Sequence, residues 1–187
     1  MNLTLNNIVI KAKNNVKANF CVEQSLSYFN RQIANVLQTD RCFLYVRDPE
    51  SRYGQAAFCF CRNPKVPDVS NSEWEQEQPD KLEAVDPMFA AALNCQPSIY
   101  VEDVETADPE TLNRDFEAQE FGHRALIHGH ICLDGQLWGI IQPCVFDRPR
   151  QWTTGDKQVM AMIIDRLTPL VKEYVLANIQ SVKQKYK

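Results

Sequence analysis

"HRALIHGHICLDGQLWGIIQPCVF", residues 123–146, decides the fold. At its centre, Asp134-Gly135 is a dipeptide suited to the two-residue type I′ turn, whose twist matches that of two antiparallel strands. The flanks are rich in branched and aromatic residues, so they read as a long hairpin of strands 123–133 and 136–146. The stretch also holds all three histidines of the chain. Alternation along the first strand puts His128, His130 and Cys132 on one face with Arg124 and Leu126. It puts His123, Ala125, Ile127, Gly129 and Ile131 on the other. His128 and His130 then lie about 7 Å apart at their Cα atoms, from a rise near 3.4 Å per residue. A His-x-His pair at that spacing can share a zinc ion if further ligands converge on it. No acidic or histidine cluster upstream offers them, and no metal is expected; His128 and His130 are the only candidates. Two readings remain for the pair: buried polar residues satisfied by hydrogen bonds, or the lining of a pocket in which an imidazole meets a ligand.

Working outward, residues 16–38 carry an apolar stripe at helical spacing through Val16, Phe20, Leu26, Phe29, Ile33, Val36 and Leu37. "RCFLYVR" (41–47), the turn signal "DPESRYG" and "QAAFCFCR" (55–62) form a second hairpin. Residues 63–85 are proline-rich and acidic with little periodicity, a long loop of the sort that serves as a lid. Two Asp-Pro starts follow. Asp86 and Pro87 suit the N-cap and first position of a helix over 86–94, and the same pattern opens a helix over 108–122 that ends on Gly122. "SIYVEDV" (98–104) is a short strand between them. The last helix, 154–184, begins with Thr153 and Asp156 at capping-box spacing, and Pro169 should kink it. The order predicts a single α+β domain: an antiparallel sheet of five to six strands, terminal helices on one face, loops and short helices over the other.

The chain has 187 residues, of which 44% are apolar, which suffices for one sizeable core. A net charge of −4 gives no electrostatic footprint for nucleic acid, and the basic runs "KAKNNVK" and "KQKYK" read as solvated helix ends. No apolar run spans a bilayer and no secretory signal is visible. Seven cysteines, an odd number, therefore point to a reducing cytoplasm.

"TDRCFLYVRD" and "LDGQLWGIIQPCVFDRPRQWTTGDKQVMAMIIDRLTPLV" resemble a GAF domain over roughly residues 20–175. The tail is similar to the cyanobacterial sensor and phytochrome-like branch, where a "GQLWG" hairpin precedes "PRQW" and an amphipathic helix. The resemblance implies a five- or six-stranded sheet with terminal helices on one face and a small-molecule pocket on the other, under the mid-chain loops. It also implies a homodimer formed through the helices at 16–38 and 154–184. Photoreceptor members attach a bilin to a Cys-His pair in the helix before the strand at 123–133. The matching positions here are Asn113 and Arg114, so covalent bilin is not expected and the cofactor is open. Family members that reduce methionine sulfoxide carry cysteines in the pocket loops, and cyclic-nucleotide binders carry an "NKFDE"-type sequence. Neither pattern occurs here.

The expected ligand-binding residues are His128, His130, Arg124 and Trp74, the last because a tryptophan in the acidic loop has no periodic reason to be there. Glu73, Glu75 and Glu77 around it read as a solvated face. Cys42 would face Cys59 or its neighbour across the first hairpin, where a cross-strand thiol pair could become a disulfide under oxidation. No nucleophile–base pair, phosphate-binding glycine loop or paired carboxylates stand out, so no catalysis is expected. Taken with these residues, the resemblance implies a stand-alone cytoplasmic sensory or regulatory module that binds a small molecule or a signalling protein. The alternatives are a dimerisation module without ligand, and a redox or metal-dependent protein using Cys42/Cys59 or His128/His130.

Overall fold

The structure, a computed structural model, describes residues 22–78 and 81–185. Helix α1 (Val22–Val36) leads into strands β1 (Arg41–Arg47) and β2 (Tyr53–Cys61). The expected helix start at residues 16–21 and the N-terminal basic run lie outside the described residues. A two-residue strand β3 (Glu75–Gln76), a single turn α2 (Leu82–Val85) and α3 (Pro87–Leu93) follow. Then come β4 (Ile99–Val101), α4 (Arg114–Glu120), β5 (Ala125–Leu133), β6 (Gln136–Val145) and α5 (Thr154–Lys185). The six strands form one antiparallel sheet in the order β3-β2-β1-β6-β5-β4.

Local chemistry explains most of these boundaries. Asp134 and Gly135 both have positive φ, 54° and 71°, so the β5–β6 hairpin turns as the type I′ preference requires. Asp86 caps α3, its carboxylate accepting from the Met88 amide at 2.9 Å. The Thr153 hydroxyl accepts from the Asp156 amide at 3.1 Å while Asp156 accepts from the Thr153 amide at 2.9 Å, a reciprocal capping box at the start of α5. The helix then runs through Pro169, which has no N–H to donate to the carbonyl of Asp165. Gly139 lets β6 lie close against β1, since a Cβ there would sit 2.5 Å from the Tyr45 carbonyl oxygen.

Two sequence expectations are corrected. The second Asp-Pro pair does not open a helix: Asp108 closes a turn by accepting from the Glu110 amide at 2.9 Å, and α4 begins later, capped by Asn113. Asn113 accepts from the Phe116 amide at 3.1 Å and donates to the Val85 carbonyl at 2.8 Å. The second correction concerns Cys42 and Cys59. Cys42 pairs with Phe60, the neighbour of Cys59, and Cys59 pairs with Phe43, so the two thiols face opposite sides of the sheet and form no cross-strand pair.

The sheet separates two cores. On one face Cys42, Leu44, Val46, Ile127, Ile131 and Ile141 pack against Leu26 and Ile33 of α1 and Leu167, Val171 and Val175 of α5. Each fully buried side chain of this size contributes about 1.5–3 kcal/mol relative to exposure. On the other face Phe43, Leu126 and Cys144 meet Met88 and Leu112, and Leu137 and Ile140 meet Phe89 and Ala92. The short helices thus cover the face that the terminal helices leave free. None of the described helices is long and apolar enough to cross a membrane.

Candidate functional site

A cavity of about 180 Å³ lies on the face covered by the short helices. Its wall is aromatic: Phe43 and Tyr45 from β1, Phe89 from α3, Phe116 from α4, and Phe121 just beyond it. Val69 and Leu82, within the stretch 63–85, form the roof, and Ala56 and Ile140 complete the apolar lining. Four polar side chains reach this space from four separate elements: Asp86 at the start of α3, Glu117 of α4, His128 of β5 and Gln142 of β6.

His128 is in place as the strand alternation requires, and its protonation state follows from its neighbours. The Gln96 carbonyl lies 2.7 Å from His130 Nδ1 and can only accept, so Nδ1 of His130 carries the proton. Burial lowers the pKa of both imidazoles, further for His128 because His130 adds to the effect, so each is neutral with a single proton. His130 Nε2 therefore accepts from His128 Nδ1, 2.9 Å away. Nε2 of His128 is left as an unprotonated acceptor. The two rings meet nitrogen to nitrogen, which leaves no space for a shared metal. Among the described residues no group of three His, Cys, Asp or Glu could hold a metal ion.

His130 itself lines a different space, a groove of about 640 Å³ between residues 95–98 and α5. Arg124 is not at the cavity either: it forks onto Asp103 at 2.6 and 3.0 Å. Trp74 is on the opposite face of the sheet, buried and stacked on Tyr174 of α5 with ring centroids 6.4 Å apart. It anchors the loop rather than covering the cavity. Glu77, expected on a solvated face, is buried against Arg47 at 2.8 Å and accepts from the Tyr45 hydroxyl at 2.6 Å. Burial, then Glu77, pushes the Tyr45 pKa well above its usual value.

His123 departs from the alternation because β5 starts only at Ala125. It stacks on Phe121 on the cavity side of the sheet. Arg41, fully buried among the faces of Phe43, Phe121 and Phe146, places Nη2 3.3 Å from His123 Nδ1. Glu117 Oε2 lies 2.6 Å from His123 Nε2. Burial disfavours charge on His123, but Cys144 and Glu117 outweigh it and raise its pKa to about 9. A proton on Nδ1 would set two donors face to face at the Arg41 contact. Against that rise, the Arg41 contact favours an imidazole without a proton on Nδ1, set between the guanidinium and the carboxylate.

Asp86 has no such counterpart. Burial, then the nearby Glu117, raises its pKa to about 6, although the Phe89 and Met88 amides work against this. Gln142 is also unusual: it is 3% exposed, and its Nε2 has no hydrogen-bond partner among the described residues. An orphaned buried amide is costly unless something else satisfies it. Asp86, Glu117 and Gln142 escaped the sequence reading. Gln142 alone left a trace there, as the one uncharged polar residue in the apolar run "GIIQPCV".

The thiols offer no comparable chemistry. Burial pushes Cys42 well above its usual pKa and Cys59 up to about 12, away from the reactive thiolate.

Residues 26–168 match the GAF domain family model. The chain belongs to the GAF domain family. Its fold is similar to the phycocyanobilin-bound GAF domain of a cyanobacterial phytochrome, with a TM-score of 0.73 at 15% identity over 95% of this chain and 99% of that one. The phycoerythrobilin-bound GAF domain of a cyanobacterial phytochrome gives 0.72 at the same identity and coverage. The GAF domain of an Acinetobacter phosphoenolpyruvate-protein phosphotransferase gives 0.67 at 10% identity, again over 95% and 99% of the two chains. At these identities the likeness establishes the fold. No curated protein matches the chain by sequence.

Proposed function

We propose that this GAF domain is a cytoplasmic, non-catalytic sensory module that binds a small molecule in the 180 Å³ cavity. The observation that carries the reading is an aromatic cavity lined by a neutral His128 and by Gln142, whose Nε2 has no partner among the described residues. Few convergent polar groups in an apolar pocket are the usual makeup of a ligand site. An apolar cavity of about 150 Å³ accepts a single benzene ring, so a one-ring ligand suits the space.

The loop over the cavity is also tied to the terminal helix. Val69 and Leu82 roof the cavity, and Glu77 holds the hydroxyl of Tyr45 in its wall. Within the same loop, Trp74 stacks on Tyr174 and Glu73 pairs with Lys185 at 2.8 Å, both partners lying on α5. A ligand that favours one arrangement of the loop thereby biases α5. Only unequal affinity for two arrangements can do this.

The test is native mass spectrometry of the protein as isolated, beside Ala56→Phe, which fills the cavity from β2. The expected result is a small non-covalent adduct that disappears in the variant and on denaturation. An identical spectrum for the two proteins contradicts the reading.

The output surface proposed is a homodimer through α1 and α5. Met162, Pro169 and Leu176 are exposed at seven-residue spacing along one stripe of α5, the repeat of a helix-pairing seam. The double substitution Met162→Glu/Leu176→Glu is expected to convert the dimer to monomer by analytical ultracentrifugation. A wild-type monomer, or a dimer that survives the substitution, would place the partner surface elsewhere.

A further inference from the structure

The charges around the cavity do not balance among the residues themselves. Arg41 and Glu117 are linked through His123 and account for one another. Asp86 is 6% exposed and no cation among the described residues acts on it: the groups acting on its carboxyl are Glu117 and the two amides of the helix it caps. A buried carboxylate with no counter-charge is unfavourable, and a ligand cation is the direct remedy. The walls suit one. Arg41 already sits over the faces of Phe43 and Phe121 at 5.4 and 5.9 Å, so this aromatic environment accommodates positive charge. Two further groups point to a ligand independently of the acids. His128 offers an acceptor to an N–H or O–H donor, and Gln142 Nε2 offers an unused donor to an oxygen.

Resting on the ligand-binding reading above, we propose that the cavity is selective for a small organic ammonium ion that also carries an oxygen. Its nitrogen is set toward Asp86, its ring or chain lies against the aromatic wall, and its polar groups meet His128 and Gln142. The volume limits the body to about one six-membered ring with a short side chain. The chemical class is therefore a primary or secondary amine of low mass, neither a dinucleotide nor a tetrapyrrole.

Isothermal titration of the full chain at neutral pH with three matched probes tests this: tyramine, its uncharged analogue 4-ethylphenol, and the anion 4-hydroxyphenylacetate. Tyramine should bind at least about tenfold more tightly than 4-ethylphenol, as expected for a charge-assisted hydrogen bond in a desolvated site. The anion should bind more weakly than either. Asp86→Asn keeps the helix cap, because asparagine accepts from the Met88 amide as aspartate does. That variant should lose the preference for tyramine over 4-ethylphenol. Equal affinity for tyramine and 4-ethylphenol in the wild type overturns the ammonium assignment and leaves the cavity reading standing. So does an Asp86→Asn variant that still prefers the amine. Failure of all three probes overturns both readings together.

Discussion

Glu117→Gln is expected to lower the unfolding free energy at pH 7 by about 3 kcal/mol, the cost of stranding one member of a buried charge pair. The substitution keeps size and hydrogen-bonding capacity but removes the negative charge that His123 relays to Arg41. Arg41 is 0% exposed and cannot reach solvent to recover hydration. Its remaining support is the Pro67 carbonyl at 3.1 Å and the faces of three phenylalanines. For a domain of this length the loss corresponds to a fall in Tm of about 6–12 °C. Urea unfolding followed by tryptophan fluorescence reads it as a lower midpoint with an unchanged slope. Adding Arg41→Met should recover much of the loss, because a neutral side chain of similar length asks for no counter-charge. If the double variant is as unstable as the sum of the two single ones, the two residues are not coupled through His123.

The opposite sign is expected at Asp86. Asp86→Asn should raise the unfolding free energy at pH 7 by about 2 kcal/mol. Asparagine caps a helix as well as aspartate does, so little is lost. What is gained is the removal of a buried negative charge facing another carboxylate, Glu117. The carboxyl titrates near 6 in the folded protein and about 3.9 in the unfolded chain, so the folded state holds the proton more tightly. Between those values the folded state binds more protons, and stability falls as pH rises from about 4 to about 6. The cost is fully present above pH 6 and absent below pH 4. Of the titratable groups that line the cavity beside it, Glu117 on α4, His128 on β5 and Tyr45 on β1, only Glu117 raises it directly. The gap between variant and wild type should therefore close when the same urea titration is run at pH 4. A variant less stable than wild type at pH 7 would mean that the carboxylate is compensated in the folded state. A residue that costs stability where it stands is a common mark of a binding group.

How much of this was legible in the sequence depends on the range of the interactions involved. Asp134-Gly135, the Asp86-Pro87 start and the Thr153–Asp156 box act within three residues, and each reads correctly from the chain. Alternation along "ALIHGHICL" puts His128 on the cavity side because the strand is regular there. The same rule misplaces His123, since Gly122 at φ 67° and the two residues after it precede the ladder. Asp108-Pro109 is the same dipeptide as Asp86-Pro87, yet it closes a turn, because nothing in two residues specifies whether a helix continues. The cavity's charges were hidden for a different reason. Asp86, Glu117 and Gln142 come from α3, α4 and β6, and no local period links them. Glu77 likewise belongs to a run of acids that looks solvated until Arg47, thirty residues earlier, is brought beside it.

The central claim, a ligand cavity between the sheet and the short helices, is tested most directly by where a small neutral probe lands. Adding 4-ethylphenol to the ¹⁵N-labelled chain and following amide shifts supplies that location. Saturable shifts concentrated at Asp86, Phe89, Glu117, His128 and Gln142, with smaller ones passing through the 63–85 loop toward Trp74, are the predicted result. Shifts confined to α1 and α5, or to the groove at Cys95–Ser98, or none at all, would contradict it.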